Sequence, residues 1–293
     1  FVGEVISALR VADTGVMLLN AHMGVEVGTD IIWEYTEQFK TPMIFAVNKL
    51  DDDNADFDKC VREAKAHFGN NVVVVQYPRQ QGAGFHEIID VLRMTMYKFK
   101  DTGGKPEKLP IPDEEKEKAE TLHKELIEAV ASNDESLMEK YFDKGELDED
   151  EMKSGLKKAM INHDLFPLFC LSAERNMGSG RLMGFIDNVC PSANEMAPQT
   201  TKNGSQLACD ASGPSCLFIF KTVSEPHVGE LSYFKVYSGT IRNGMELENE
   251  STNVTEKINQ LFLVEGNKRT PIQELVAGDI GATLKLKNTH VNN

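Results

Sequence analysis

At 293 residues the chain exceeds the ~250 residues at which single cores usually stop growing, so two domains are expected. Its 41% hydrophobic and 26% charged residues exclude general disorder, and a net charge of −15 from 31 basic and 46 acidic residues excludes wrapping of DNA or RNA by the whole surface. No run approaches the ~18 apolar residues of a membrane span, and Phe1-Val2-Gly3-Glu4 has neither a basic region nor a secretory cleavage pattern, so a cytoplasmic location away from the membrane is expected. The cysteines Cys60, Cys170, Cys190, Cys209 and Cys216 are odd in number and form no CxxC pair, which suggests a reducing compartment rather than a disulfide framework or a zinc site.

The opening residues place Val2, Val5, Ile6 and Leu9 at helical spacing without a preceding cap, as expected of a cut through a larger protein. From residue 1 to about 100, short apolar runs alternate with amphipathic segments, which predicts parallel strands linked by crossover helices. Val16 to Asn20, Met43 to Asn48 and Val72 to Gln76 read as buried strands; Thr29 to Phe39, Phe57 to Phe68 and Phe85 to about Phe99 read as helices. Between residues 106 and 165 Lys and Glu dominate behind Pro110 and Pro112, so a helical insertion is expected. It carries 18 acidic against 9 basic residues, nine of the fifteen excess negative charges; a solvated surface is the simpler reading and a docking face for a basic partner the sharper one.

Buried-strand character returns at Pro167-Leu168-Phe169-Cys170-Leu171, followed by Ser172-Ala173 and a helix from about Gly180 to Val189. Residues 191 to 214 form a polar stretch suited to a domain boundary. Beyond it the period falls to two, in Leu231 to Gly239 and Lys257 to Val264, and Asn243-Gly244 signals a hairpin turn, so a small antiparallel barrel is expected. The fold class is therefore α/β with a helical insertion, followed by a β-barrel. Its limits are residues 1–195 for the first domain, 196–213 for the linker and 214–293 for the barrel, whose last strands are expected to be missing.

Asn48-Lys49-Leu50-Asp51 falls where a buried parallel strand ends, and in open α/β sheets ligands bind at those carboxyl ends. The Asp51 carboxylate can accept two hydrogen bonds from the N1–H and exocyclic amino group of guanine, a pairing that adenine, lacking that amino group, does not offer. Asn48 can bridge the base edge and nearby backbone, and the aliphatic stem of Lys49 can cover the purine face. Asn and Asp after a strand are also ordinary turn formers. Ser172-Ala173 at the end of a second buried strand strengthens the guanine reading, because a small residue there lets a backbone N–H approach the guanine O6.

The parts that move phosphate are missing from the sequence. No GxxxxGK[ST] occurs, and Gly103-Gly104-Lys105-Pro106 fails both the spacing and the final Ser/Thr, so no catalytic residue is assigned and these residues are not expected to hydrolyse GTP. Gly82-Ala83-Gly84 reads as a loop. The histidines His22, His67, His86, His123, His163, His227 and His290 are dispersed without HxxxH or HExxH spacing, so no metal site is assigned and no triad is argued.

With these residues in hand, nearly the whole chain resembles bacterial elongation factor G, the ribosomal translocase, with departures that suggest a paralogue. Phe1-Val2-Gly3-Glu4-Val5 through Leu9-Arg10-Val11-Ala12-Asp13 resembles the family's switch helix, which puts the family's catalytic histidine before Phe1. Leu137-Met138-Glu139-Lys140-Tyr141 resembles the helical subdomain that faces the ribosomal stalk protein; Val236-Tyr237-Ser238-Gly239 and Ala277-Gly278-Asp279-Ile280 resemble the second domain, which docks on ribosomal RNA. Gly28 stands where Gln is usual, and Asp52 where Arg is common.

The resemblance implies a partial P-loop GTPase-type sheet inside a parent that binds GTP or GDP with Mg2+ and acts in translocation of tRNA and mRNA on the ribosome, with no nucleotide held firmly by these residues alone. Asn48, Lys49, Asp51, Ser172 and Ala173 are the implied guanine contacts, and DNA is not an expected partner. Two alternatives are carried alongside: a ribosomal protection protein of the tetracycline-resistance type, and a ribosome-binding paralogue that does not depend on GTP hydrolysis.

Overall fold

The structure is a computed structural model that describes residues 2–201, 203–225 and 229–293; Phe1 and His227 lie outside the described residues. It divides into two compact units, Thr14–Pro191 and Ser192–Asn293, the latter taking with it the leading segment through Asp13. The leading segment is a helix, α1 (Val2–Val11), as the spacing of Val2, Val5, Ile6 and Leu9 predicts.

In the unit Thr14–Pro191 the order is β1 (Gly15–Asn20), α2 (Val27–Phe39), β2 (Met43–Asn48), α3 (Phe57–Phe68), β3 (Val72–Val74), β4 (Gln76–Pro78), β5 (Glu87–Asp90), β6 (Thr95–Lys98), β7 (Glu107–Leu109), α4 (Asp113–Ala131), α5 (Glu135–Lys144), α6 (Glu149–Ile161), β8 (Phe166–Cys170) and α7 (Ser179–Val189). The strands β1, β2, β8 and β3 form a parallel sheet in that spatial order. Every residue of β8, and all of β2 except Asn48, is buried, because helices and the insertion cover both faces. Phe45, Phe68, Trp33 and Phe166 interlock with centroids 4.8 to 6.3 Å apart, Phe45 stacked on Phe68 and the other pairs tilted or edge-on.

The expected helix from Phe85 to about Phe99 is not formed. Residues 76–109 instead make an antiparallel sheet, β4-β5-β6-β7. Phe85, Ile88, Ile89 and Leu92 have helical spacing by coincidence. Ile88, Ile89 and Asp90 are consecutive and all buried, so both faces of β5 are covered and the period-2 signal of a half-buried strand is erased. The β5–β6 turn lacks Gly and Pro; it closes because Asp90 Oδ1 accepts from the Arg93 N–H at 2.9 Å while Met94 takes φ +46°. The predicted strand Val72 to Gln76 likewise divides, β3 staying in the parallel sheet and β4 opening the small one.

The insertion is helical as expected. Asp134 and Asp148 cap α5 and α6 by accepting from the backbone N–H groups of the first turn, at 2.9 to 3.3 Å. Tyr77 donates to Glu115 Oε2 at 3.0 Å and Arg79 pairs with Glu87 and Glu114, which fastens α4 to the small sheet.

In the other unit, a two-residue ladder, β9 (Gln199–Thr200) with β10 (Gln206–Leu207), interrupts the polar stretch expected to be a plain linker. Then follow β11 (Cys216–Glu225), β12 (Gly229–Ser238), β13 (Thr240–Arg242), β14 (Glu246–Asn249), β15 (Val254–Lys257), β16 (Leu261–Glu265), β17 (Lys268–Ile272), β18 (Glu274–Val276) and β19 (Ile280–Leu284). They pair antiparallel as β11-β12-β19-β16-β17, β13-β18 and β14-β15, a barrel-like arrangement around Ile219, Phe234, Val236, Ile241 and Leu261. Asn243-Gly244 is a turn with Gly244 at φ +81°, yet the strands flanking it do not pair with each other: β13 joins β18 and β14 joins β15. α1 packs in this unit, where Tyr237 donates to the Arg10 carbonyl at 3.1 Å and buried Lys235 donates to the Val11 carbonyl at 2.8 Å and pairs with Asp13.

Candidate functional site at the carboxyl ends of the parallel strands

The two segments singled out in the sequence meet at the carboxyl ends of β2 and β8, which are neighbours in register through Val47 and Cys170. Leu50 fixes the first loop. Its side chain is fully buried, so the backbone must turn sharply, and Lys49 takes φ +65° while Asp52 N–H returns to the Lys49 carbonyl at 3.1 Å. The alternation leaves Lys49 exposed and Asp51 at the crevice with 16% of its side chain accessible.

The second loop is closed by reciprocal backbone bonds between Ser172 and Met177, both 2.9 Å, and by Ser172 Oγ accepting from the Arg175 N–H at 3.2 Å. Ser172 is thus a buried structural brace, and Ala173 is exposed beside it. One bond ties the two loops together: Ala173 N–H donates to Asn48 Oδ1 at 3.0 Å. Because the donor is an N–H, the facing Asn48 atom is the oxygen, which leaves the Asn48 amino group for other acceptors. The Ala173 N–H is thereby engaged by Asn48.

Further contacts around these loops have no signature in the two motifs. Arg175 Nε lies 3.4 Å from Asp51 Oδ2. The Leu50 carbonyl accepts from Gly82 N–H at 2.8 Å, and Gln81 Oε1 accepts from Phe57 N–H at 2.7 Å, so the β4–β5 loop grips the first segment and the start of α3. Gly104 N–H donates to the Asn176 carbonyl at 2.8 Å, and a Cβ on Gly103 (φ +66°) would lie 1.9 Å from the Arg175 carbonyl oxygen. The Gly-Gly pair that failed as a phosphate loop is thus the backing of the Ser-Ala turn, and its requirement for glycine was the signal available in the sequence.

Asp52, one of the departures from the family pattern, has a local role. Its Oδ1 accepts from Asn54 N–H at 2.8 Å and from the Asn54 amide at 3.3 Å, and the backbone bond holds the carboxyl below its usual range. Gly28, the other departure, lies in the first turn of α2 with open space where a Cβ would be.

Asn48, Lys49, Asp51, Ser172 and Ala173 thus lie together on two braced loops at the carboxyl ends of a parallel sheet, the position at which open α/β folds bind their ligands. Residues 1–192 match the elongation factor Tu GTP binding domain, residues 214–293 match elongation factor G domain 2, and the chain belongs to this family of translational GTPases, in its elongation factor G type. A solved protein from Thermus thermophilus is similar over the whole chain, with a TM-score of 0.85 and 26% identity. The chain covers 41% of that protein's length.

Proposed function

We propose that Asn48, Lys49, Asp51, Ser172 and Ala173 form the base-reading part of a GTP or GDP site in a ribosomal translocase. The observation that carries this reading is the 3.0 Å bond from Ala173 N–H to Asn48 Oδ1, which sets both segments on one crevice with Asp51 beside them. Asp51 supplies the acceptor pair for guanine N1–H and N2–H, Asn48 the free amino group, and Lys49 a stem that can lie along the ring. These residues offer donors and acceptors to a base edge; a phosphate loop does not occur among the 293 residues, and no step of phosphoryl transfer is assigned to this chain. Residues 1–195 and 214–293 are proposed as its nucleotide-type and barrel domains.

Exchange of Asp51 for Asn tests the base reading, because the xanthine C2 carbonyl accepts where the guanine amino group donates. Titration of this chain by NMR with GMP, XMP and AMP should show preference for GMP in the native protein and for XMP in Asp51→Asn. Equal shifts with all three nucleotides would sink the assignment.

The ribosome is the proposed partner, with ribosomal RNA against the barrel and the stalk protein against the acidic insertion, where Phe142 on α5 is 79% exposed. Co-sedimentation with ribosomes, lost on reversing insertion charges, checks it. The Asx turn made by Asp52 gives that departure a local structural role, compatible with either a hydrolysis-coupled or a hydrolysis-independent translocase. Unchanged tetracycline sensitivity in cells lacking the parent would separate translocation from ribosomal protection.

A further inference from the structure

The carboxylate assigned to the guanine edge already has a partner within its own site. Arg175 Nε approaches Asp51 Oδ2 at 3.4 Å, longer than a good charge-assisted hydrogen bond, and reaches one oxygen of the two. The placement is built by backbone rather than by chance of a flexible chain. Arg175 sits in the turn closed by the Ser172–Met177 bonds, its N–H is held by Ser172 Oγ, and its carbonyl is backed by Gly103. Among the described residues Asp51 is the carboxylate with which Arg175 pairs, and the arginine side chain keeps 35% of its surface in contact with solvent, so it can swing out at little cost.

From this geometry we propose that Arg175 is a specificity-determining residue that competes with the base for Asp51; the proposal rests on the guanine-edge reading above. Guanine presents two N–H donors to the two Asp51 oxygens and replaces a single long ion contact by two short charge-assisted bonds. Adenine presents no such pair and leaves Arg175 where it is. When guanine departs, Arg175 returns to Asp51 and neutralises a carboxylate that is mostly buried. Arg175 therefore lowers guanine affinity and speeds release, and it does so for bases that engage Asp51 and for no others.

The test is an NMR titration of the 293-residue chain with GMP and AMP, comparing native protein, Arg175→Ala and Arg175→Gln, with a thermal melt of each to establish that it folds. The expected result is GMP binding tightened about two- to five-fold in both variants, the range for loss of a partly exposed ion pair, with AMP binding unchanged. Two variants guard against one failing to fold, and the AMP arm separates competition at Asp51 from a general change in the loop. GMP binding that stays equal or weakens while the native chain still prefers GMP to AMP overturns the competition and leaves the base reading standing. No preference for GMP in any of the three proteins overturns both.

Discussion

The loops that carry Asn48, Asp51 and Ala173 and the acidic insertion, which share one compact unit, are held by different forces. At the carboxyl ends of β2 and β8 the backbone does the fixing: Leu50 N–H to Leu171 O, Gly82 N–H to Leu50 O, Gly104 N–H to Asn176 O and the Ser172–Met177 pair. These contacts are directional and leave little room for adjustment. The insertion is instead an amphipathic three-helix layer whose buried side, Leu126, Ile127, Val130, Leu137, Leu156 and Met160, packs apolar side chains, and whose outer side carries ion pairs such as Lys124–Glu128 and Lys153–Glu149. A recognition crevice needs atoms held to fractions of an ångström. A solvated helical face tolerates change, because its charges are screened and its side chains can move.

Matched glycine substitutions should separate the two regions most strongly. Gly103→Ala forces a Cβ against the Arg175 backbone at 1.9 Å from a positive φ, and should cost about 2–4 kcal/mol in urea unfolding while disturbing the Ala173 amide resonance. Gly155→Ala, inside α6, meets Val130 Cγ1 at 2.4 Å and Leu137 Cδ1 at 2.7 Å; the Leu137 methyl can turn aside, the buried and β-branched Val130 must shift, and about 1 kcal/mol of helix propensity offsets part of that overlap. Its net cost should be about 1 kcal/mol, below that of Gly103→Ala. Equal costs at the two sites would erase the distinction.

A smaller effect is expected at Asp90, which is buried between Gln76 Nε2, at 2.8 Å, and the Arg93 N–H. Burial pushes its carboxyl up, so the folded protein holds the proton more tightly than the unfolded chain. The stability that this contributes is complete below the unfolded value near ~3.9 and falls away as pH rises through the folded one. Asp90→Asn should remove that slope and raise stability at neutral pH by about 1 kcal/mol, the Gln76 amide turning over so that its Oε1 faces the new amino group. Melting temperatures of both proteins across the acid-to-neutral range check it, and parallel curves would refute the charge argument.

The smallest change belongs to the insertion surface. Lys124→Ala removes an exposed i,i+4 pair with Glu128 and should alter unfolding by under ~0.5 kcal/mol, less still at high salt. Asp134 is a different acid on the same layer, held well below the usual carboxylate range by Lys158 first and then by Ser136 and the α5 N-terminus. Its contribution is present above the unfolded value and is lost as pH falls through the folded one, so helical content should decline first in the insertion under acid. Loss of the parallel sheet's near-ultraviolet signal before the helical signal would contradict that order.

Much of the architecture was legible because single segments carried it. The β2 and β8 runs are too apolar and too short to be surface helices, and the insertion announces itself by Lys and Glu with Pro at its entry. The small sheet over 76–109 was not legible: burial on both faces removed the alternation, and its turn is made by a side-chain bond from Asp90 in place of Gly or Pro. The β13 to β19 pairings were hidden for another reason, since Asn243-Gly244 specifies a turn and not which strands it joins.

In the candidate site, residue types and strand-end placement were enough to single out Asn48, Lys49, Asp51, Ser172 and Ala173, because donor and acceptor chemistry is a property of each residue and of its place on a strand. Tertiary structure decided which of those groups are engaged. Ala173 gives its N–H to Asn48, Arg175 stands against Asp51, and two glycine-containing loops from the small sheet brace the pair of segments. Such contacts join residues more than a hundred positions apart, or depend on a carbonyl that has no side-chain signature, and they come into being when the chain closes on itself.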